Sequence, residues 1–322
     1  MPMRYRKLGQ WGIKVSEISL GAWVTYGDAV SDLEQIKKIT RIAYEGGVNF
    51  FDNADVYAKG LAEELMTKAL LEQFPRHELV LSSKVYWPTS EDANGRGLSR
   101  KHVRESLERS LRRMRTDYLD LYFCHRYDPE VPMEEIVTTM SNLVDRGLVL
   151  YWGTSEWPAP RIAEAAAFAR ANGLHPPVVE QPQYSMLYRE RVEQEILPET
   201  QRFGMGMVVW SPLAMGMLTG RYDKGVPKNS RFERYPQFGN RFLTPENVKK
   251  VKALKKVADE LGLSRTQLAL AWVLRQPGVS SAITGATKPE QLKESLGAAG
   301  VDLPSEALEK IERILNPAKA PE

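Results

Sequence analysis

Short apolar runs alternate with stretches of helical periodicity along almost the whole chain. Ile18–Trp23, Val48–Ala54, Leu79–Tyr86, Tyr118–His125, Val149–Ser155, Val178–Tyr184, Met205–Pro212 and Ser281–Gly285 are bounded by Gly, Pro or polar residues and are rich in β-branched and aromatic side chains. Near-continuous apolarity over so few residues predicts strands covered on both faces. Between them the apolar positions recur at three and four. Leu33, Ile36 and Ala43 follow a capping box at Ser31 and Glu34, and Gly46-Gly47 closes that helix. A second helix runs from Leu61 to Phe74 and stops at Pro75; a third, capped by Ser99, carries Val103, Leu107, Leu111 and Met114. Met133–Asp145, Arg161–Arg170 and Val192–Arg202 follow. Thr244-Pro245 opens the next helix and Ser264 with Gln267 another, before Pro289–Leu296 and Ser305–Leu315.

Eight strands separated by helical material imply a parallel sheet. Eight such units in a chain of 322 residues favour a (β/α)8 barrel over an open sheet. Arg4–Leu8 and Ile13–Val15 around Gly9–Gly12 add an N-terminal hairpin, and two extra helices complete the fold. No linker splits the chain, so residues 1–322 read as a single barrel domain. Arg221–Thr244 is too long and polar for an ordinary connection and reads as a functional loop over one face. No Gly-x-Gly-x-x-Gly follows a strand, which argues against a dinucleotide-binding open sheet.

Composition narrows the classes. A net charge of +3 gives no ground for a nucleic-acid partner or a membrane-surface role. The longest uncharged run, Phe203–Gly220, is broken by Gly and Pro and reads as a strand and loop, so no membrane insertion is expected. One cysteine, Cys124, excludes an internal disulfide and fits a reducing cytoplasm; its placement reads as a small buried side chain. MPMRYRKLG has no apolar core, so no signal peptide is expected. Few histidines and no clustered ligand spacing leave no metal site.

In a barrel of this kind, the loops after the strand C-termini build the active site. Asp52 closes the second strand and Tyr57 sits on the loop beyond it; Lys84 ends the third strand and His125 the fourth. Singly, such residues are commonly solvated or structural. Together, on consecutive strand ends, they form a chemical set. A tyrosine at its reference pKa of about 10 is a poor acid at neutral pH, and a neighbouring ammonium is expected to lower it. A carboxylate pairs the lysine, and a histidine donates to a carbonyl oxygen. Such a site polarises a carbonyl and protonates the alkoxide as it forms.

These residues lie in motifs that resemble the aldo-keto reductases, and in particular the branch that includes voltage-gated potassium channel β subunits. The motifs are FFDNADVYAKGLAEE at Phe50–Glu64, SSKVYW at Ser82–Trp87, GLSRKHV at Gly97–Val103, PMEE at Pro132–Glu135, YWGTSEW at Tyr151–Trp157 and WSPLAMG at Trp210–Gly216. The resemblance runs from Tyr5 to about Leu315. It implies NADPH as hydride donor, no metal, and a tetrad of Asp52, Tyr57, Lys84 and His125, with Tyr57 as general acid, Lys84 tuning it, Asp52 pairing the lysine and His125 orienting the carbonyl. It also implies cofactor contacts. Gly21, Ala22, Trp23 and Asp52 fall at the nicotinamide end, Ser155 and Gln181 at the carboxamide, and Trp210 against the nicotinamide ring. Ser211, Pro212, Leu213, Ala214 and Met215 would follow the pyrophosphate. Arg221 and Arg231 would meet phosphates, and Gly285, Thr287, Gln291, Glu294 and Ser295 the adenosine and its 2′-phosphate. Lys288 suits an extra phosphate contact or a solvated surface equally.

The substrate side would be lined by Trp23, Tyr57, Trp87 and His125, with Tyr86 and Trp157 adding to an aromatic mouth suited to small carbonyls. Arg126 and Lys59 would favour an acidic or phosphorylated aldehyde if they face the pocket, and both also suit solvated positions. The chain departs from the channel-associated branch at four places. Glu156 replaces an arginine and is left off the site, Ser295 replaces an asparagine at adenine, and Ala29 replaces a glutamine. His125 stands where channel β subunits carry asparagine. The histidine favours an enzyme, an NADPH-dependent aldehyde or ketone reductase. The alternative is an NADPH-binding regulatory protein of the channel β-subunit kind with weak reductase activity. The resemblance makes a homo-tetramer possible and leaves channel association open.

Overall fold

The computed structural model describes residues 2–316. A hairpin of β1 (Tyr5–Lys7) and β2 (Lys14–Ser16) precedes eight parallel strands: β3 (Ile18–Gly21), β4 (Phe50–Asp52), β5 (Val80–Val85), β6 (Leu119–Cys124), β7 (Val149–Ser155), β8 (Val179–Gln181), β9 (Gly206–Trp210) and β10 (Val279–Thr284). They pair in sequence order and β10 closes on β3, which makes a (β/α)8 barrel. Helices α1 (Leu33–Glu45), α2 (Leu61–Leu71), α3 (Arg100–Met114), α4 (Met133–Asp145), α5 (Ala159–Ala171) and α6 (Leu197–Arg202) follow the strands in turn. Two short helices, α7 (Arg231–Arg234) and α8 (Pro236–Phe242), come after β9, then α9 (Pro245–Glu260) and α10 (Arg265–Leu274). After β10 come α11 (Pro289–Leu296) and α12 (Ser305–Leu315). Among the described residues no helix is long and apolar enough to cross a membrane.

Several boundaries differ from the sequence reading for local physical reasons. Asp32, not Ser31, caps α1, because its carboxylate reaches the amides of Glu34 and Gln35 at 2.8 and 3.1 Å. Strand β3, expected over Ile18–Trp23, stops at Gly21 because Ala22 turns the chain, its carbonyl accepting from the amides of Thr25 and Tyr26. The helix expected over Val192–Arg202 begins as a π-turn at Val192–Ile196. Pro198 has no N–H to continue an i to i−4 ladder, so the hydrogen bonding widens ahead of it. The expected loop at 221–244 contains α7, capped by the Ser230 side chain, and α8.

The alternation of side chains along the strands explains the site. Phe50, Val80, Leu121, Phe123, Tyr151, Val179, Val208 and Ile283 pack in one cluster with Leu8, Val15, Trp11 and Ile13 of the hairpin. That cluster fills the barrel, and the hairpin closes its N-terminal end: the Gln10 amide donates to the Gly204 carbonyl and the Ser280 hydroxyl to the Lys7 carbonyl. Side chains two residues further along a strand point the same way. The next inward positions toward the C-terminal rim are Asp52, then Ser82 and Lys84, His125, Ser155, Gln181, Trp210 and Gly285. The interior therefore changes from apolar at the hairpin end to polar at the rim.

The opposite face of β8 carries Glu180, buried under the helix layer. The Thr154 hydroxyl donates to one of its oxygens and the other has no partner. Burial pushes its pKa up to about 8. The folded protein holds this proton while the unfolded chain releases it near pH 4.3, so stability falls as pH rises between about 4 and 8. Glu180→Gln is expected to raise the urea midpoint relative to the parent above that window and to match it below about pH 4. A midpoint difference that does not change with pH would rule out this origin.

Candidate active site

Asp52 and Lys84 form a buried ion pair at 2.7 Å, and Lys84 also donates to the Asn53 carbonyl at 2.6 Å. The other Asp52 oxygen accepts from the Ser82 hydroxyl at 2.8 Å and from Gln181 Nε2 at 3.0 Å. With four hydrogen bonds accepted and donated in this pair, neither charge is stranded. The third Lys84 donor points to the Tyr57 hydroxyl at 3.3 Å. The Tyr57 and His125 rings meet edge to face, 5.8 Å between centroids.

Tyr57 sits on a 3-10 turn, Tyr57–Gly60, whose Ala58 and Lys59 have φ of 47° and 56°. Such left-handed backbone is unfavourable for these residues and has to be enforced by surroundings. Two supports are visible. A Cβ on Gly27 would come within 2.6 Å of Ala58 Cβ, so the glycine lets that segment pack closely. Behind Gly60 lies Arg113, paired with the buried Glu63 at 2.5 Å, and Glu63 in turn accepts from Ser83.

Burial and the nearby Asp52 carboxylate push the Tyr57 phenol well above its ordinary value. This corrects the expectation that Lys84 lowers it. The lysine's charge is committed to Asp52 and the Asn53 carbonyl, and the cation that opposes the rise is Arg126. Burial lowers Lys84 in turn, against the pull of Asp52. Burial, helped by Lys84 and Arg126, drives His125 well below its ordinary value, so its imidazole is neutral. The site thus presents a protonated phenol and a neutral imidazole at neutral pH.

Tyr57, His125, Trp23 and Trp87 line a cavity of about 1090 Å3. The same cavity is lined by Ser155, Gln181, Trp210, Ser211, Pro212, Leu213, Met215, Arg221, Arg231, Gly285, Thr287, Gln291, Glu294 and Ser295. Gly21 and Asp52 lie in the lining as well. Ala22 and Ala214, expected beside them, are fully buried and absent from that lining: Ala22 makes the turn after β3, and the Ala214 amide donates to the Ser211 carbonyl. Lys84 is likewise fully buried and reaches the cavity only through Tyr57. Gln291 uses its side-chain oxygen on the amides of Thr287 and Lys288 and on the Thr287 hydroxyl, so that group is committed to the start of α11.

Of the aromatic mouth, Trp87 packs against Tyr86 and His125, whereas Trp157 is fully buried against Tyr127. Lys59 is exposed outside the lining, and Arg126 lies in it. Sequence reasoning missed Lys228 and Arg234, which add cations to the cavity lining; the basic composition of 221–244 was the available signal. It also left Glu156 without a part. Glu156 has a left-handed backbone, φ 58°, and its carboxylate turns away from the cavity. One oxygen accepts from the Trp210 indole N–H at 3.0 Å and from the Gln183 amide at 2.5 Å; the other pairs with Arg191 at 2.6 Å. Glu156 is therefore the anchor of Trp210, whose ring meets Trp23 edge to face at 5.5 Å. Phe238 of α8 also packs on Trp23, 5.6 Å between ring centroids, which ties the inserted segment to the mouth.

A (β/α)8 barrel with an Asp–Tyr–Lys–His set on consecutive strand ends belongs to a narrow class of folds and sites. The sequence profile of the aldo/keto reductase family matches residues 17–316. The chain is a member of the aldo/keto reductase family. It is 46% identical over 319 residues to a probable voltage-gated potassium channel subunit beta of Arabidopsis thaliana, covering 97% of both chains, and shows the same figures with a protein of that description from Oryza sativa. A putative voltage-gated potassium channel subunit beta of Schizosaccharomyces pombe is 42% identical over 320 residues, with 97% of this chain and 93% of the other covered. Family and relatives support an oxidoreductase.

Proposed function

We propose that the protein is an NADPH-dependent reductase of small aldehydes or ketones, with Tyr57 as the general acid. The observation that carries the reading is geometric: the Tyr57 hydroxyl takes a Lys84 donor at 3.3 Å, its ring meets His125 edge to face, and the Asp52–Lys84 pair lies behind them, with Tyr57 and His125 lining one cavity. The cavity, at about 1090 Å3, has room for a dinucleotide beside a small substrate. Its Arg231 is half-buried, burial lowers its pKa, and no carboxylate lies within 4 Å of it among the described residues. Such a cation asks for an anionic ligand. Trp210, held by Glu156, offers a fixed aromatic face in the same cavity. The nicotinamide would supply a hydride to the carbonyl carbon.

The chain's own residues do the rest. His125 would donate a hydrogen bond to the carbonyl oxygen, which orients it and favours the charge that develops there. Tyr57 would give its proton to that oxygen. Its raised pKa keeps the proton in place through neutral pH, so the acid is present wherever the protein is folded and the pH is below the phenol's shifted value. Lys84 holds the Tyr57 oxygen in position at 3.3 Å, while Asp52 keeps the lysine charged and aimed. Trp23 and Trp87 narrow the approach, which favours small carbonyl compounds.

Arg231→Ala is expected to weaken NADPH binding by about 10- to 100-fold, the range of a lost charge-assisted hydrogen bond of ~1.5–3 kcal/mol. NADH, without the 2′-phosphate, should lose far less. Quenching of tryptophan fluorescence on titration with each nucleotide reads both affinities. Equal losses for the two would take Arg231 off the 2′-phosphate.

The names of the relatives favour a second reading, an NADPH-binding regulatory protein of the channel β-subunit kind with weak reductase activity. Tight NADPH binding with no turnover on a broad aldehyde panel would support it over the first.

A further inference from the structure

We infer that Arg126 is an anion-recognition point in the cavity beside Tyr57, and that the substrates are small aldehydes or ketones bearing a carboxylate or phosphate a few bonds from the carbonyl. The inference rests on the reductase reading and specifies its substrate class.

Arg126 directly follows His125 and lines the same cavity as Tyr57. It is half-buried. Several half-buried arginines are paired: Arg76, Arg113, Arg191 and Arg265 each hold a carboxylate within 2.7 Å, whereas Arg126, like Arg231, has none among the described residues. Among the described residues no carboxylate lies within 4 Å of Arg126, including the cavity-lining Asp28, Asp52 and Glu294. One of its nitrogens donates to the carbonyl of His125, and the guanidinium lies over the Trp87 ring at 5.4 Å from its centroid.

Stacking on an indole fixes a guanidinium plane while leaving donors free at its edge. An edge of this kind matches a carboxylate or a phosphate with two parallel hydrogen bonds. The charges around it add up in the same direction. Asp52 and Lys84 cancel as a pair, and His125 is neutral, so Arg126 is the uncompensated charge beside Tyr57. Its influence reaches the reacting groups, since it opposes the rise in Tyr57 and helps depress His125 and Lys84. Trp87 touches both residues, at 6.3 Å from the His125 ring, which keeps the anion site and the carbonyl site close. That proximity sets the short spacing between anion and carbonyl.

The test compares pairs that share a carbonyl chain and differ in one anionic group: 4-oxobutanoate against butanal, and glyceraldehyde 3-phosphate against glyceraldehyde. The readout is the ratio of kcat/KM within each pair, for the parent and for Arg126→Met. The parent should favour the charged member of at least one pair by tenfold or more, mainly through KM, with the preference shrinking as salt is added. The pair that shows it separates carboxylate from phosphate. Arg126→Met should collapse the ratio toward one, and Arg126→Lys should restore part of it.

Equal ratios in the parent and Arg126→Met, or a parent that prefers the neutral members, would overturn the assignment while leaving the reductase reading intact. Turnover of no member of either pair would instead count against the reductase reading. In that case binding still reads Arg126. With NADPH present, 4-hydroxybutanoate should quench tryptophan fluorescence in the parent at concentrations where Arg126→Met and 1-butanol give no effect. Equal quenching by the parent and the variant would sink the anion site.

Discussion

Tyr57→Phe should cut carbonyl reduction by about 100- to 10,000-fold, the usual contribution of a positioned general acid, while NADPH affinity stays within a few-fold of the parent. The substitution removes one oxygen and keeps the ring against His125. Lys84 loses its longest partner, at 3.3 Å, and keeps Asp52 and the Asn53 carbonyl at 2.7 and 2.6 Å. The fold therefore has no reason to fail, and the loss should appear in kcat. The parent's rate should stay level from neutral into mildly alkaline pH, because burial and Asp52 hold the phenol protonated there. Steady-state rates of NADPH oxidation with one good aldehyde, across pH, read both expectations. A variant that keeps the parent's rate would remove Tyr57 from the chemistry.

Lys84→Met should damage stability as well as rate. Removing one member of a buried ion pair leaves the other uncompensated, typically at a cost of about 3–5 kcal/mol. Asp52 would still accept from Ser82 and Gln181, so the lower end of that range is expected. The double variant Asp52→Asn with Lys84→Met removes both charges and should recover most of the lost stability, since no buried charge remains unpaired. It should not recover the rate, because nothing then holds the Tyr57 oxygen. Urea midpoints and NADPH oxidation rates for the two single variants and the double variant form a cycle that separates the effects. Recovery of rate along with stability would mean that the pair serves folding alone.

Much of this was legible in the sequence, for reasons that particular residues illustrate. Parallel strands covered on both faces read as apolar runs, so Leu79–Tyr86 and Tyr118–His125 declared themselves, and the polar residue ending each run marked the rim. Asp52, Lys84 and His125 stood out because a titratable group at the end of such a run demands a partner. The caps at Ser99, Thr244 and Ser264 were equally visible, being local chemistry.

What could not be read depended on contacts between distant segments. Glu156 meets Trp210 across 54 positions and Arg191 across 35, and only the folded chain shows that an acid in that place steadies an aromatic wall. The unpaired state of Arg126 has the same character, because it is set by what no other strand brings near. The direction of the Tyr57 shift was missed because burial and Asp52 outweigh the cation that sequence reasoning placed beside it. In 221–244 the helices α7 and α8 are four and seven residues long, too short to show a period.

The central claim is that this barrel passes hydride to a carbonyl carbon and a proton from Tyr57 to its oxygen. The most direct measurement uses NADPH deuterated at the transferable nicotinamide position, a small aldehyde, and mass spectrometry of the product. Deuterium at the carbinol carbon in the parent, and its absence with Tyr57→Phe over the same time, is the predicted result. Bound NADPH with no deuterated alcohol from the parent on any aldehyde tried would contradict the account.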